Sequence, residues 1–197
     1  ETAEALAERG IRLVLRAGRP AEVAADLAGR AAMVVVDRGY LRHQVRWRER
    51  LAREVDCRVE QVETDAVVPV EVASDRAEYA ARTIRPKLRR EWDRYLRPLE
   101  QAGPDRDSLD LDLDGLDPGD TEGLLAGLDL DRSVGAVSFL RGGTSRADDL
   151  LDEFIAEKLA RYADQSRDPV ADVQSHMSPY LHFGQVSPLE IALRIDD

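Results

Sequence analysis

Gln174-Ser175-His176-Met177-Ser178-Pro179-Tyr180-Leu181-His182-Phe183-Gly184-Gln185-Val186-Ser187-Pro188 is the stretch on which the reading of this chain turns. It holds two of the three histidines, and two aromatics, Tyr180 and Phe183, in a chain that is 5% aromatic. Two Ser-Pro steps frame it, Ser178-Pro179 and Ser187-Pro188. Each fits a helix start, with Ser as the cap and Pro at the first helical position, where no backbone N–H is needed. A helix start gathers unpaired N–H groups and a partial positive charge, so it suits a phosphate. On the residues alone, ordinary caps without a ligand are the more frequent outcome.

Just upstream the pattern is helical. Phe139-Leu140-Arg141-Gly142-Gly143-Thr144-Ser145 forms a turn leading into a helix expected over 146–162. Ser145 is its expected cap, and Asp148 and Asp149 in the first turn complement the helix dipole. Leu150, Leu151, Phe154, Ile155 and Leu159 recur at helical spacing and are core candidates. Tyr162 is expected to end this helix, and residues 165–173 form a loop centred on Asp168-Pro169. A shorter helix is expected over 121–128. The second half therefore reads as all-helical.

The first 75 residues alternate instead. Helices are expected over 2–9, 20–31 and 42–55, and strands over 11–15, 32–36 and 58–63, with a further extended piece at 67–72. Such alternation implies a parallel sheet covered on both faces, joined by right-handed crossovers. Loops after parallel strands are where such folds bind ligands, which singles out the segment from Asp37 to Trp47. His43 and Trp47 in it read first as ordinary helix residues.

Between the halves lie two charge blocks. Residues 76–97 carry Arg82, Arg85, Lys87, Arg89, Arg90, Arg94 and Arg97, and Pro86 is expected to divide them into two helical pieces. A solvated or salt-bridging helix is favoured over a nucleic-acid patch, since acidic residues follow. Residues 103–122 carry seven Asp and one Glu against Arg106 alone, with Gly and Pro turns. Asp110-x-Asp112-x-Asp114-Gly115 imitates the start of an EF-hand loop. Thr121 stands where the bidentate Glu would be, so a mobile, exposed linker is the better reading.

Composition bounds the rest. The chain has 197 residues, 43% hydrophobic and 34% charged, with a net charge of −11. That charge argues against the whole chain being a nucleic-acid surface. Cys57 is the only cysteine, so no internal disulfide forms, and no Cys/His cluster has metal-ligand spacing. No run approaches the ~20 apolar residues of a membrane span. No Gly-rich phosphate loop, Ser-His-Asp set or isolated carboxylate pair is present, so no catalytic residue is assigned. The chain starts at Glu1 without methionine and stops within an apparent helix, and it is expected to be an internal piece of a longer protein.

Ser178-Pro179-Tyr180-Leu181-His182-Phe183-Gly184-Gln185-Val186-Ser187 resembles the signature of the photolyase/cryptochrome flavoproteins, and the spacing back to Tyr162 and Arg167-Asp168-Pro169 fits it. Val68-Pro69-Val70-Glu71-Val72-Ala73-Ser74, followed by the run from Glu78 to Pro86, is similar to class II cyclobutane pyrimidine dimer photolyases. The order of these blocks agrees with that family along the whole chain.

The resemblance implies a fold that is α/β and then all-α. Residues 1–75 would be the C-terminal part of a doubly wound parallel α/β antenna domain. Residues 76–120 would be a basic helix and an acidic interdomain linker. Residues 121–197 would be the first helices of a helical FAD-binding domain. The implied function is light-driven DNA repair by a deoxyribodipyrimidine photolyase, with electron transfer from reduced FAD splitting the dimer. A cryptochrome-like photoreceptor is the alternative. FAD is the implied cofactor, with a second antenna chromophore of unknown identity. UV-damaged DNA is the implied partner, met mostly outside this piece, and the intact protein is expected to be a cytoplasmic monomer without a membrane segment. This piece alone is expected to be inactive.

Residue by residue, the resemblance matches Tyr162 to a family tyrosine whose hydroxyl reaches the FAD phosphates. Ser175, His176, Met177 and Ser178 match the short FAD-binding run. His176 and Met177 depart from the common choices, Arg or Asn and then Leu, so contacts there would run through the backbone. Gln174 is unusual at its place and is not carried over, and His182 and Phe183 are assigned to helix packing.

Overall fold

A computed structural model describes residues 1–100 and 102–196. The elements, in order, are α1 (Thr2–Glu8), α2 (Pro20–Ala28), β1 (Met33–Asp37), α3 (Arg42–Glu54), β2 (Arg58–Val62), α4 (Val70–Ala73), α5 (Ala81–Tyr95), α6 (Thr121–Ala126), α7 (Thr144–Glu153), a π-helical segment (Phe154–Lys158), α8 (Leu159–Gln165), α9 (Ser178–His182) and α10 (Pro188–Asp196). They group into two compact units.

The first unit holds residues 1–36, 40–61 and 100–138. Pro20 opens α2 where its missing N–H costs nothing. The Leu41 N–H donates to Gln44 Oε1 at 3.0 Å, which satisfies one free donor at the start of α3. Helices α2 and α3 pack together and bury Ala21, Ala28 and Leu51. Arg50 ties them across their surface, 2.9 Å from Glu22 and 2.7 Å from Glu54.

Strands β1 and β2 form a two-stranded sheet. The bond from Arg38 N–H to Val62 C=O joins their C-terminal ends, so they run parallel with α3 as the crossover. Met33 and Val35 are exposed on one face while Val34 and Val36 are half-buried on the other, so the described residues cover one face rather than both.

The strand expected over 11–15 is absent, and only Leu15 makes a bridge, antiparallel to Leu116. The backbone there is bound irregularly to the acidic stretch instead. The Arg12 N–H donates to Ser108 Oγ at 2.8 Å, and the Leu116 N–H to Leu15 C=O at 2.7 Å. Arginine side chains extend the attachment. Arg12 donates to the carbonyls of Leu109, Leu111 and Leu113, Arg16 to that of Asp114, and Arg30 to that of Asp112. The stretch expected to be a free linker is therefore exposed but fastened, by its carbonyls rather than its carboxylates.

The second unit holds residues 37–39, 62–99 and 139–196. The expected extended piece at 67–72 contains a helical turn, α4. Pro69 fixes the entry, and the Glu63 carboxylate accepts the Val70 N–H at 3.0 Å, which satisfies the turn's free donor. Helix α5 is continuous through Pro86 rather than split. Proline there is the sixth residue, so the helix forgoes one early hydrogen bond and keeps the turns beyond it. It begins at Ala81, after an extended Ala80, and Lys87 within it donates to Ser74 Oγ and Glu78 Oε1 at 2.8 and 2.6 Å.

The helical end of this unit has one core. Ala147, Leu151, Phe154, Met177, Tyr180 and Val186 are buried together, with Leu150, Ile155, Leu159 and Ile191 packed against them. No strand occurs among the described residues from 121 on. Gly143, at φ 116, is the cap residue of α7, a conformation that suits glycine, and Ser145 lies inside the helix instead of capping it. The helix continues through the π segment to Gln165, so Tyr162 lies within α8 and does not end it.

Ser187 caps α10 as expected, accepting the Leu189 N–H at 3.2 Å. Ser178 is shifted by one position. Met177 C=O accepts the first helical bond of α9, from Leu181 N–H, so Met177 is the cap residue and Ser178 and Pro179 lie in the first turn. The end of α9 is set by Gly184 at φ 64. The Gln185 N–H returns to Tyr180 C=O at 2.8 Å and the Gly184 N–H to Leu181 C=O at 3.2 Å, a Schellman stop.

Candidate cofactor site

The core just described holds one wall of a cavity of about 490 Å³. Phe139, Leu140, Leu150, Pro179 and Tyr180 give it an apolar part. Arg141, Arg146, Gln174, Ser175, His176 and Ser178 supply the polar part. The lining contains no carboxylate, in a chain of net charge −11. Arg146 is met by Asp149 at 3.7 Å just outside the lining, and Arg141 with the serine hydroxyls remains a set that suits an anion.

Local structure explains who faces inward. The Tyr180 hydroxyl donates to Arg141 C=O at 2.7 Å, which holds the segment before α7 against α9. The Gly143 N–H donates to Gln185 Oε1 at 2.9 Å and fixes the entry of α7. The loop after α8 is folded back, with Gln174 Nε2 donating to Ser166 C=O at 2.9 Å. Val173 and Met177 are buried and anchor the run between them.

The expected residues separate accordingly. Ser175, His176 and Ser178 come together on the cavity. Met177 points into the core and can meet a ligand there only through its backbone. Tyr162 is not in the lining; its ring packs edge-on against Phe154 at 5.6 Å and it is 39% exposed. Gln174, set aside on sequence, does line the cavity. Arg141 and Arg146 were not singled out, although cations flanking Gly142-Gly143 ahead of a helix were a readable signal. His182 and Phe183 stack on each other at 4.8 Å, outside the lining.

From the wall a chain of polar contacts runs to the helix. His176 Nε2 lies 3.3 Å from Asp172 Oδ1, Asp172 Oδ2 lies 3.5 Å from Lys158 Nζ, and Lys158 lies 2.9 Å from Glu153. The hydrogen bond with Glu153 raises the Lys158 pKa above its ordinary value. The bond from His176, and then the Lys158 charge, lower the Asp172 carboxyl.

The residues present are compatible in kind with a phosphate-bearing ligand that also has an apolar part. The serine hydroxyls and guanidiniums suit a diphosphate, and the apolar part suits the less polar portion of such a ligand. In the first unit, His43 packs edge-on against Trp47 at 4.7 Å on the outer part of α3, after the end of β1. Among the described residues no group of three or more His, Cys, Asp and Glu could hold a metal, and no helix is long and apolar enough to cross a membrane.

A protein from Methanothermobacter thermautotrophicus named deoxyribodipyrimidine photo-lyase is 42% identical over 98% of this chain and 42% of its own length. One of the same name from Potorous tridactylus is 35% identical over 82% of this chain and 30% of its own length. The chain thus spans less than half the length of these relatives. Among solved structures, a Synechocystis cryptochrome shares the fold with a TM-score of 0.76 at 20% identity, covering 98% of this chain and 42% of the other. A class III photolyase from Agrobacterium tumefaciens does so with a TM-score of 0.63 at 19% identity, covering 96% and 40%. The family model described as DNA photolyase matches residues 1–105, more than half of the sequence, and with these relatives it establishes that the chain belongs to the photolyase/cryptochrome family.

Proposed function

We propose that this chain is part of a light-driven DNA repair flavoprotein, a deoxyribodipyrimidine photolyase of the class II type that splits cyclobutane pyrimidine dimers. The observation that carries the reading is the 42% identity, over nearly the whole chain, to a protein of that name. The acid-free cavity supports it. Bound there, FAD would supply light-driven electron transfer to the dimer and take the electron back once the ring has opened.

The contribution of this chain is binding and orientation. Ser175 and Ser178 would donate hydroxyl hydrogen bonds to the diphosphate, and Arg141 and Arg146 would balance its charge. Tyr162 would approach the phosphates through its hydroxyl from outside the cavity wall. The backbone N–H of His176 would complete the contact, and that of Met177, which donates to Ser175 Oγ at 3.5 Å, would join it by turning from that long bond. Residues 1–75 would belong to the antenna domain, with a second chromophore held near the end of the sheet, residues 76–120 to the connection, and residues 121–197 to the FAD-binding domain. The intact protein would be a cytoplasmic monomer that meets UV-damaged DNA mostly through residues outside this chain, with base flipping giving access to the dimer.

A photoreceptor without repair activity is the second reading. It is favoured by a 45-residue match, 51% identical, to a protein named cryptochrome-2 from Arabidopsis thaliana. Illumination of the full-length protein with a UV-irradiated oligonucleotide separates the two. Repair predicts that dimers disappear only in the light, and intact dimers with bound, photoreducible flavin would favour the receptor.

A further inference from the structure

His176 is the one non-glycine residue with positive φ among the described residues, at φ 56. It stands between Ser175 on the cavity wall and Met177 in the core. In an extended run, residues two apart share a face. A left-handed residue between them breaks that alternation and lets Met177 enter the core while Ser175 stays on the cavity. Left-handed backbone is unfavourable for most side chains, so it persists where its surroundings impose it.

What surrounds His176 is built from a helix irregularity. Within the π segment the Leu159 N–H bonds Phe154 C=O, five residues back, which shifts the phase of the helix at Lys158. Lys158 is only 11% exposed and reaches both Glu153 and Asp172. Asp172 spans the gap, with one carboxylate oxygen toward Lys158 and the other toward His176. Π-turns in helices are often found at functional sites.

We propose that Lys158 and Asp172 are positioning residues that hold His176 in its left-handed backbone and thereby keep Ser175 and Ser178 on the cavity wall. The proposal rests on the reading of that cavity as a flavin-nucleotide site. Lys158 fixes Asp172 from the helix side, Asp172 accepts the His176 Nε2–H, and neither touches the ligand.

The test is FAD titration of the full-length apoprotein, followed by flavin fluorescence. Asp172 is 75% and His176 52% exposed, so Asp172→Ala and Lys158→Met should each weaken FAD about two- to fivefold, and Lys158→Arg should retain most of the affinity. Glycine adopts φ 56 unaided, so His176→Gly should bind FAD more tightly than His176→Ala. In the His176→Gly background Asp172→Ala should cost less than about twofold. Amide exchange in the apoprotein gives a second readout. Asp172→Ala should speed exchange over 175–178 and leave the amide of Leu151 unchanged.

Equal cost of Asp172→Ala in both backgrounds, alanine outperforming glycine at 176, or unchanged exchange over 175–178 would each overturn the proposal. The double variant Ser175→Ala/Ser178→Ala separates the two levels. If it weakens FAD while Asp172→Ala does not, the positioning role alone fails. If it leaves FAD binding intact, the flavin reading fails and the proposal falls with it.

Discussion

The side-chain carbonyl of Gln185 accepts the backbone N–H of Gly143 at 2.9 Å. This bond joins the stop of α9 to the start of α7, and both sides depend on glycine. Gly184 takes the left-handed turn that aims Gln185, and Gly143 takes the positive φ that opens α7. The cavity lining takes Arg141 before α7, Arg146 and Leu150 within it, and Ser178 to Tyr180 at the start of α9, so the bond braces the two helices from outside the lining.

Gln185→Ala should therefore destabilise the protein by about 1–3 kcal/mol, because it leaves a half-buried N–H without its partner. Gly143→Ala should cost about 1–3 kcal/mol through backbone strain. Urea unfolding measures both. An unchanged midpoint in Gln185→Ala would show that water replaces the bond at no cost.

Acid should reach the second unit through Glu78. Its side chain is 9% exposed and lies 2.6 Å from Lys87 Nζ. Hydrogen bonds from Lys87, Thr83 and Ser74, in that order, hold its pKa down to about 2, against an ordinary 4.5. A carboxyl depressed on folding stabilises fully above its unfolded pKa and loses that contribution as pH falls through its folded one. The stability of the wild type relative to Glu78→Gln should thus decline between pH 4.5 and about 2. Parallel stability curves for the two proteins across that window would contradict the assignment.

The acidic stretch offers a third test. Its arginine clamps act on carbonyls, and its own N–H groups are bonded unevenly. Slow amide exchange is expected at Ser108 and Leu116, whose N–H groups reach Gly10 and Leu15 at 2.8 and 2.7 Å, and rapid exchange at Asp110 and Asp112. Arg12→Ala removes donors to three carbonyls and should abolish the protection at Ser108. Uniform fast exchange in the wild type would restore the free-linker reading.

These elements show how far the sequence could be read. The α2–β1–α3–β2 alternation and the all-helical end follow from periodicity and stand to within a few residues. The strand at 11–15 failed because a partner 100 residues on is invisible to local pattern. The Leu-Asp alternation over 109–114 has the period of an extended chain, yet its crowded charges favoured the reading of a mobile linker. Pro86 failed as a breaker because one lost hydrogen bond early in α5 is outweighed by the turns that follow. At the site, the family resemblance singled out Ser175, His176 and Ser178, and these three line the cavity. The sequence did not separate Met177, turned into the core, or Tyr162, packed on Phe154, because which way a side chain points depends on tertiary packing. His176 at positive φ and the π segment carry no sequence pattern at all.

The central claim is that Ser175 and Ser178 bind a flavin diphosphate, and the double variant Ser175→Ala/Ser178→Ala in the full-length protein tests it most directly. A hydrogen bond to a charged phosphate contributes about 1.5–3 kcal/mol and a neutral one about 1 kcal/mol. At ~1.4 kcal/mol per power of ten, losing both should weaken FAD by roughly one to three powers of ten. FAD titration should show that loss, with light-dependent dimer repair falling only where flavin occupancy falls. An unchanged FAD Kd with undiminished repair would contradict the account and leave Ser175 and Ser178 as ordinary residues of a loop and helix start.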